Sequence, residues 1–233
     1  MILLIDTAQE TGTVSLAREG KILWEEENRM AKEHAGWLHP AIGGLLAQAK
    51  LTVRDLVAVS VMAGPGSYTG LRVGMAAAKG FCYALKIPLI TQNTLRIMAE
   101  SMIPVVMEKR ALICPMIDAR RDEVFTALYQ METIKSHPSS VIDKMDLQEL
   151  LPPQALILDK NAFEMHLSKN RIVFFGSGAG KWKIISPSLQ AMFEPQQNMN
   201  QAFARASQLD FENGNRADPV YAEPVYLKEF FSY

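Results

Sequence analysis

The stretch Gly64-Pro65-Gly66-Ser67-Tyr68-Thr69-Gly70-Leu71-Arg72-Val73-Gly74 constrains this chain more than any other. It follows an apolar β-type run, Val57 to Met62, and opens an Ala-rich stretch from Met75 to Leu85. Three glycines and a proline between Gly64 and Gly70 dictate a sharp strand-to-helix turn with accessible backbone. Ser67 stands where a helix N-cap belongs, and it reads as a cap rather than a nucleophile.

The segments before the turn read as a meander. Ile2–Ile5, Thr13–Ala17 and Ile22–Glu26 are short β-type runs joined by Thr11-Gly12 and Glu19-Gly20 turns. A helix is predicted from about Glu33 to Lys50, because Trp37, Leu38, Ala41, Ile42, Leu45, Leu46 and Ala49 recur with helical period. After the Ala-rich helix, Pro88-Leu89-Ile90 reads as a strand and Thr94 as the cap of a helix ending near Met102. Meander, helix, strand, helix, strand is a ribonuclease-H-like order. The order then restarts: Leu112–Ile117 closes on Asp118 as the first strand closes on Asp6, and Glu123–Tyr129 follows as a strand. His137-Pro138 and Pro152-Pro153 read as joints, Ile172–Gly180 as a strand and turn, and Ala202–Phe211 as a helix. The expected fold is therefore α/β: an actin-like ATPase (ASKHA) architecture of two ribonuclease-H-like lobes, with mixed sheets flanked by helices. The lobe boundary falls between Pro104 and Arg110, giving lobes of residues 1–107 and a smaller, degenerate 108–233.

Charge excludes some classes. Lys plus Arg total 24 against 25 for Asp plus Glu, so no global field draws the chain to nucleic acid or a membrane. Lys109-Arg110 and Arg120-Arg121 are small clusters, and Asp122-Glu123 cancels much of the second; both read as solvated surface. Met1–Ile5 is too short for a signal-peptide core, and no apolar run approaches a bilayer span, so a cytoplasmic protein is expected. Cys82 and Cys114 lie in apolar runs and read as buried free thiols.

Few residues offer chemistry. Gly176-Ser177-Gly178-Ala179-Gly180-Lys181 has three residues where a Walker loop has four, and Trp182 follows instead of Ser or Thr. A plain strand-to-helix turn and a nucleotide-contacting turn both remain open. Asp6, Thr7 and Asp118 can serve either as strand-end turn formers or as ligands orienting a magnesium ion and ATP or ADP, together with Gly176 and Gly178. His34 and His39, five apart, diverge by about 140° on a helix and cannot share a metal as an i, i+4 pair does. A metal-dependent peptidase is not supported.

Two helices show too little charge for the surface of a monomer. From His34 to Gln48 there is no Asp, Glu, Lys or Arg, and Gly36, Gly43, Gly44 and Ala47 lie largely outside the bulky face. In the second helix Arg72, Lys79 and Lys86, spaced by sevens, make one thin stripe, while Gly70, Gly74 and Ala78 form a flat side open to close approach. The two helices either bury each other or meet a second protein. The partner reading selects Trp37, Gly43, Gly44, Ala47, Gly70, Arg72, Val73, Gly74, Ala77, Ala78 and Phe81.

Ile5-Asp6-Thr7-Ala8, the whole glycine run, Asp118-Ala119-Arg120 and Pro224-Val225-Tyr226-Leu227-Lys228 together resemble the TsaB (YeaZ) family. The resemblance spans the chain and is most specific over about residues 1–95. It implies a non-catalytic scaffold and activator, one subunit of the complex that makes threonylcarbamoyladenosine next to the tRNA anticodon. It also implies a heterodimer with a catalytic, metal-bearing paralogue (TsaD), a small ATPase (TsaE) joining the assembly, and only indirect contact with tRNA. Family interfaces use the first two helices of the N-terminal lobe, here His34–Lys50 and Ser67–Lys86, and a homodimer through the same helices is compatible. The alternative is an autonomous actin-like ATPase or small-molecule kinase using Asp6 and Asp118.

Overall fold

The computed structural model describes residues 1–30, 33–132 and 146–228. The chain forms two compact units, Met1–Ile97 with Asn198–Tyr233, and Met98–Gln197. Each contains a five-stranded mixed sheet.

In the first unit β1 (Ile2–Asp6), β2 (Gly12–Arg18) and β3 (Lys21–Asn28) form the antiparallel meander. Helix α1 (His34–Gln48) leads to β4 (Ala58–Gly64), α2 (Tyr68–Leu85) and β5 (Leu89–Asn93), with β4 and β5 parallel to β1 in the order β3-β2-β1-β4-β5. Every residue of β1 and β4 is buried, as continuous apolar runs require when both faces of a sheet are covered. Leu3, Ile5, Val59 and Val61 pack with Leu38, Ile42 and Leu45 of α1 and Met75 and Ala78 of α2. Ser60 alternates with these valines and so points to the other face. There its hydroxyl accepts a 2.8 Å hydrogen bond from Ser207 of α7 (Asn200–Asn213).

Helix α7 is where the structure departs from a division at residue 107. Asn200 Nδ2 donates to Glu25, Gln92 Nε2 donates to Asp210, and Ser207 meets Ser60, so the returning helix completes the first unit's second face. Helix α3 (Thr94–Ser101) carries the chain onward. Its cap is Asn93, whose Oδ1 accepts from Arg96 N at 3.1 Å, and not Thr94, whose hydroxyl has no partner among the described residues.

The second unit repeats the plan. Helix α4 (Ile103–Lys109) precedes β6 (Leu112–Asp118), β7 (Glu123–Glu132) and β8 (Asp146–Ile157), which pair antiparallel. Then come α5 (Glu164–Leu167), β9 (Ile172–Phe175), α6 (Ala179–Ile185) and β10 (Ala191–Phe193), in the order β10-β9-β6-β7-β8. Read from β8, this is the same topology as the first sheet. Phe163, Phe174 and Trp182 meet edge to face at 5.2–6.1 Å and fill the core. Pro152-Pro153 is not a joint: both prolines lie inside β8, an edge strand, beside the register shift between Thr126 and Leu128 of β7. An edge bulge is where a sheet tolerates missing N–H donors. The expected joint at His137-Pro138 lies outside the described residues.

Candidate functional site

The strand-end aspartates occupy equivalent places with opposite exposure. Asp6 closes β1, and its Oδ1 accepts from Ala8 N at 2.8 Å; Asp118 closes β6, and its Oδ1 accepts from Arg120 N at 2.6 Å. Both therefore form the same turn. Asp6 is 4% exposed, and burial pushes its carboxyl up to about 6 against the lowering effect of the Ala8 N–H. Asp118 is exposed. Its partial burial raises its pKa, but hydrogen bonds from Lys181 and the Arg120 N–H, with the charges of Lys181 and Arg120, outweigh that and leave it low. Lys181 Nζ lies 2.6 Å from Asp118 Oδ1 and also donates to the Glu123 carbonyl.

Both glycine turns press against the backbone at the end of their unit's first strand. Gly64 ends β4 and Gly176 follows β9, and each has positive φ, +116° and +95°. A Cβ on Gly66 would fall on the Ala8 carbonyl, one on Gly70 on the Thr7 carbonyl, and one on Gly176 on the Met116 carbonyl. At Gly178 it would lie 2.7 Å from Val124 and 3.1 Å from the Ile117 carbonyl carbon. The turn amides are used internally: Ser67 N donates to Ala8 O, Gly70 N to Ser67 Oγ, Gly178 N to Met116 O and Ala179 N to Gly176 O. Ser67 thus caps α2, as its position in the sequence requires. Thr7 is 1% exposed and its hydroxyl donates to Gly70 O at 2.7 Å.

Within each unit taken by itself, these donors do not fit a magnesium nucleotide. A phosphate cradle needs turn N–H groups directed outward, and a hard cation needs several free oxygens. Here four turn amides are spent internally, Thr7 is committed to Gly70, and Asp118 is held by Lys181. Among the described residues no three His, Cys, Asp or Glu side chains converge as metal ligands. Burial lifts the thiols to about 11 for Cys82 and about 12 for Cys114, so neither is a nucleophile at neutral pH. His34 is buried: its Nε2–H donates to Gln9 O, and its Nδ1 accepts from Asn28, pinning the start of α1. His39 is exposed and packs on Phe81 with ring centroids 5.9 Å apart.

Helix α2 has several distinct faces, and they reassign the residues selected from sequence. Gly70, Gly74 and Ala78 are buried toward the sheet, with Gly74 against Thr7, Ile5 and Val61. They pack the protein's own core and are not available to a partner. Ala77 is buried as well, and Val73 and Phe81 are half-buried, with Phe81 against α1 through His39. Arg72 and Lys79 hold the C-terminal segment: Arg72 Nε donates to the Tyr226 hydroxyl at 3.3 Å, and Lys79 Nζ to the carbonyls of Val220 and Ala222. Open residues include Ala76, Gly80 and Tyr83 on α2 and Gly36, His39, Gly43, Gly44 and Ala47 on α1. Among the described residues, and apart from the helix's own backbone, a Cβ at Gly36, Gly43 or Gly80 would meet nothing within 4 Å. Trp37 is half-buried, donating to Glu26 Oε1 at 3.1 Å.

The sequence reading missed two features, the Lys181–Asp118 pair and the strapped C-terminal segment. For the second a signal existed: two cations spaced by seven on an apolar helix need acceptors somewhere.

Two successive sheets of one ribonuclease-H-like topology, each with an aspartate closing its first strand, define a protein of the actin-like ATPase fold class. Across residues 26–214 the chain matches the family model for TsaD, tRNA N6-adenosine threonylcarbamoyltransferase. It is 33% identical over 174 residues to the tRNA threonylcarbamoyladenosine biosynthesis protein TsaB of Bacillus subtilis, covering 75% of this chain and 69% of that protein. To the Escherichia coli protein of the same name it is 34% identical, covering 56% of this chain and 55% of the relative. A Pseudomonas aeruginosa crystal structure with similarity to peptidase YEAZ superposes with a TM-score of 0.77 at 24% identity, over 97% of this chain and 99% of that one. A second, YeaZ from the same organism, gives 0.71, also at 24% identity. These two likenesses establish the fold. The chain belongs to the TsaB (YeaZ) family.

Proposed function

We propose that this protein acts in tRNA threonylcarbamoyladenosine biosynthesis as a non-catalytic scaffold that docks a TsaD-like catalytic paralogue through the open faces of α1 and α2. One observation carries the reading: Gly36, Gly43 and Gly80 sit in helices or their first turns with no neighbour among the described residues, beyond their own helix backbone, within 4 Å of a would-be Cβ. A helical glycine costs about 1 kcal/mol relative to alanine, so it needs a packing reason. Among the described residues there is none. Close approach of a partner's helices supplies one, and family membership favours the same assignment.

The face consists of Gly36, Gly43, Gly44 and Ala47 with Ala76, Gly80 and Tyr83, and Trp37, Val73 and Phe81 lie half-buried behind it. Gly70, Gly74, Ala77 and Ala78 belong to the core beneath. A TsaE-like ATPase joins the same assembly, tRNA is reached through the catalytic subunit, and the setting is the cytoplasm. With no partner present, the open face also allows self-association.

The test is co-purification of tagged protein with the TsaD-like paralogue, comparing wild type with Gly43→Arg and Gly80→Arg. Both substitutions point into open space and preserve the isolated fold, so the complex is lost while circular dichroism is unchanged. Retention of the complex by both variants would falsify the assignment of this face. ATP turnover by the isolated protein that disappears in Asp118→Asn would replace the scaffold with an autonomous ATPase.

A further inference from the structure

The segment after α7 is held to the first unit in a way that no requirement of the sheet explains. Ala217 N donates to Leu89 O at 2.8 Å, adding one antiparallel bridge to the free side of β5. Asp218 then folds the chain into a turn: its carboxylate accepts from Val220 N at 2.7 Å and its carbonyl from Ala222 N at 2.8 Å. The carbonyls that this turn leaves over, Val220 O and Ala222 O, both accept from the Lys79 ammonium, at 3.2 and 2.9 Å. Further on, Val225 N donates to Ala63 O at 2.7 Å, at the end of β4. The Val225 carbonyl lies so close to Gly64 that a Cβ there would approach it to 2.7 Å. Finally Tyr226 packs on Tyr68 with centroids 5.2 Å apart, and Arg72 bridges the two: its guanidinium is 4.3 Å from the Tyr68 ring centroid, and its Nε donates to the Tyr226 hydroxyl.

We propose that residues 217–228 are a releasable strap, fastened by Lys79 and Arg72, that orders the glycine turn and the first turns of α2. Its fastening is largely polar, with Ala217 and Ala222 packed partly on the core and Tyr226 on Tyr68. Val220 and Tyr221 are 70% and 79% exposed, so the segment buries little apolar surface compared with β1 or β4. Elements with few buried contacts and surface hydrogen bonds open locally, below the cost of global unfolding. The strap also ends where the glycine run begins, against Ala63, Gly64, Tyr68 and Arg72. Release therefore frees the Ala63 carbonyl and the Tyr68–Arg72 pair together while the sheet stays closed. One cation holds two carbonyls, which makes Lys79 the controlling fastener: removing its charge, as acylation of the amine does, opens the strap. This inference stands whether or not the α1–α2 face binds a partner.

Hydrogen–deuterium exchange of the full chain, read by mass spectrometry, tests it. Lys79→Gln removes the charge, and Val225→Pro removes the amide that bonds Ala63. The expected result for each is at least tenfold faster exchange in peptides covering 63–72 and 217–228, with peptides of β1 and α1 within twofold of wild type. Lys79→Arg, which keeps charge and donors, restores slow exchange. Two outcomes overturn the proposal. In one, the 63–72 peptides are unchanged in both variants, so the segment is a passive tail. In the other, exchange rises uniformly across residues 1–97, so the segment belongs to the cooperative core.

Discussion

Gly74 and Gly80 share helix α2, yet a methyl group added to them meets opposite surroundings. At Gly80 it enters open space; at Gly74 it falls on the Thr7 hydroxyl, with Ile5 and Val61 each 3.4 Å away. Alanine gains about 1 kcal/mol of helix propensity over glycine at either site. At Gly80 nothing opposes that gain, so Gly80→Ala should stabilise the isolated protein by roughly 1 kcal/mol, about 2–4 °C in Tm for a chain of this size. At Gly74 overpacking costs roughly 1–3 kcal/mol. Displacing Thr7 also endangers its 2.7 Å hydrogen bond to the Gly70 carbonyl, worth about 1 kcal/mol. Gly74→Ala should therefore destabilise by about 1–3 kcal/mol on balance. Urea unfolding followed by circular dichroism measures both. A destabilised Gly80→Ala would show that this glycine serves the subunit's own packing and would remove the observation on which the docking face rests. A neutral Gly74→Ala would show that α2 can slide off β1 freely. The same pair separates stability from function: Gly80→Ala should weaken complex formation while raising Tm, a combination that a purely structural glycine cannot produce.

Asp6 should make stability fall as pH rises. Its folded pKa is raised from 3.8 to about 6, so the folded state binds more protons across that window; the contribution is complete below 3.8 and lost as pH passes 6. Asp6→Asn should remove that slope and stabilise the protein at pH 7 by an amount on the order of 3 kcal/mol, and an unchanged stability curve between pH 4 and 7 would contradict the burial argument. Lys181→Met should have the opposite local effect at Asp118, whose carboxyl is held low chiefly against its own burial by that lysine. Its pKa, followed by carbon-detected NMR, should rise toward the ordinary carboxylate value; no movement would mean that the 2.6 Å pair does not persist in solution.

The repeated plan was legible because it depends on local patterns. Apolar runs marked both central strands, Asp6 and Asp118 marked their ends, and Ser67 marked the start of α2 with the hydroxyl that now caps it. Helical periodicity also grouped Gly70, Gly74 and Ala78 correctly on one side of the helix. Periodicity says which residues share a face but not what that face meets. The small side proved to be the one that lets α2 lie against Thr7, and the close approach read as intermolecular is internal. Contacts between residues distant in sequence were invisible for the same reason. Arg72 meets Tyr226 across 154 positions and Lys79 meets Val220 across 141, and no local rule couples such pairs. Nor could α7 be assigned to the first unit from its own amphipathicity. That depends on Ser60, Glu25 and Gln92 offering polar partners on the other face of the sheet.

The two glycine turns show how one local solution serves two ends. Each places a positive-φ glycine at or just past the end of its unit's fourth strand, and each needs glycines because neighbouring backbone lies where a Cβ would be. In the second unit the following helix is only Ala179–Ile185, and its lysine returns to neutralise the strand-end aspartate. In the first the aspartate is buried and held by the Ala8 N–H, and the helix extends for 18 residues. A long helix with one face on the sheet, part of another against α1 and a stripe under a strap still has an open side, and that side is where its unexplained glycine lies. The asymmetry between the repeats therefore lies in α2 and its strap as well as in the two aspartates.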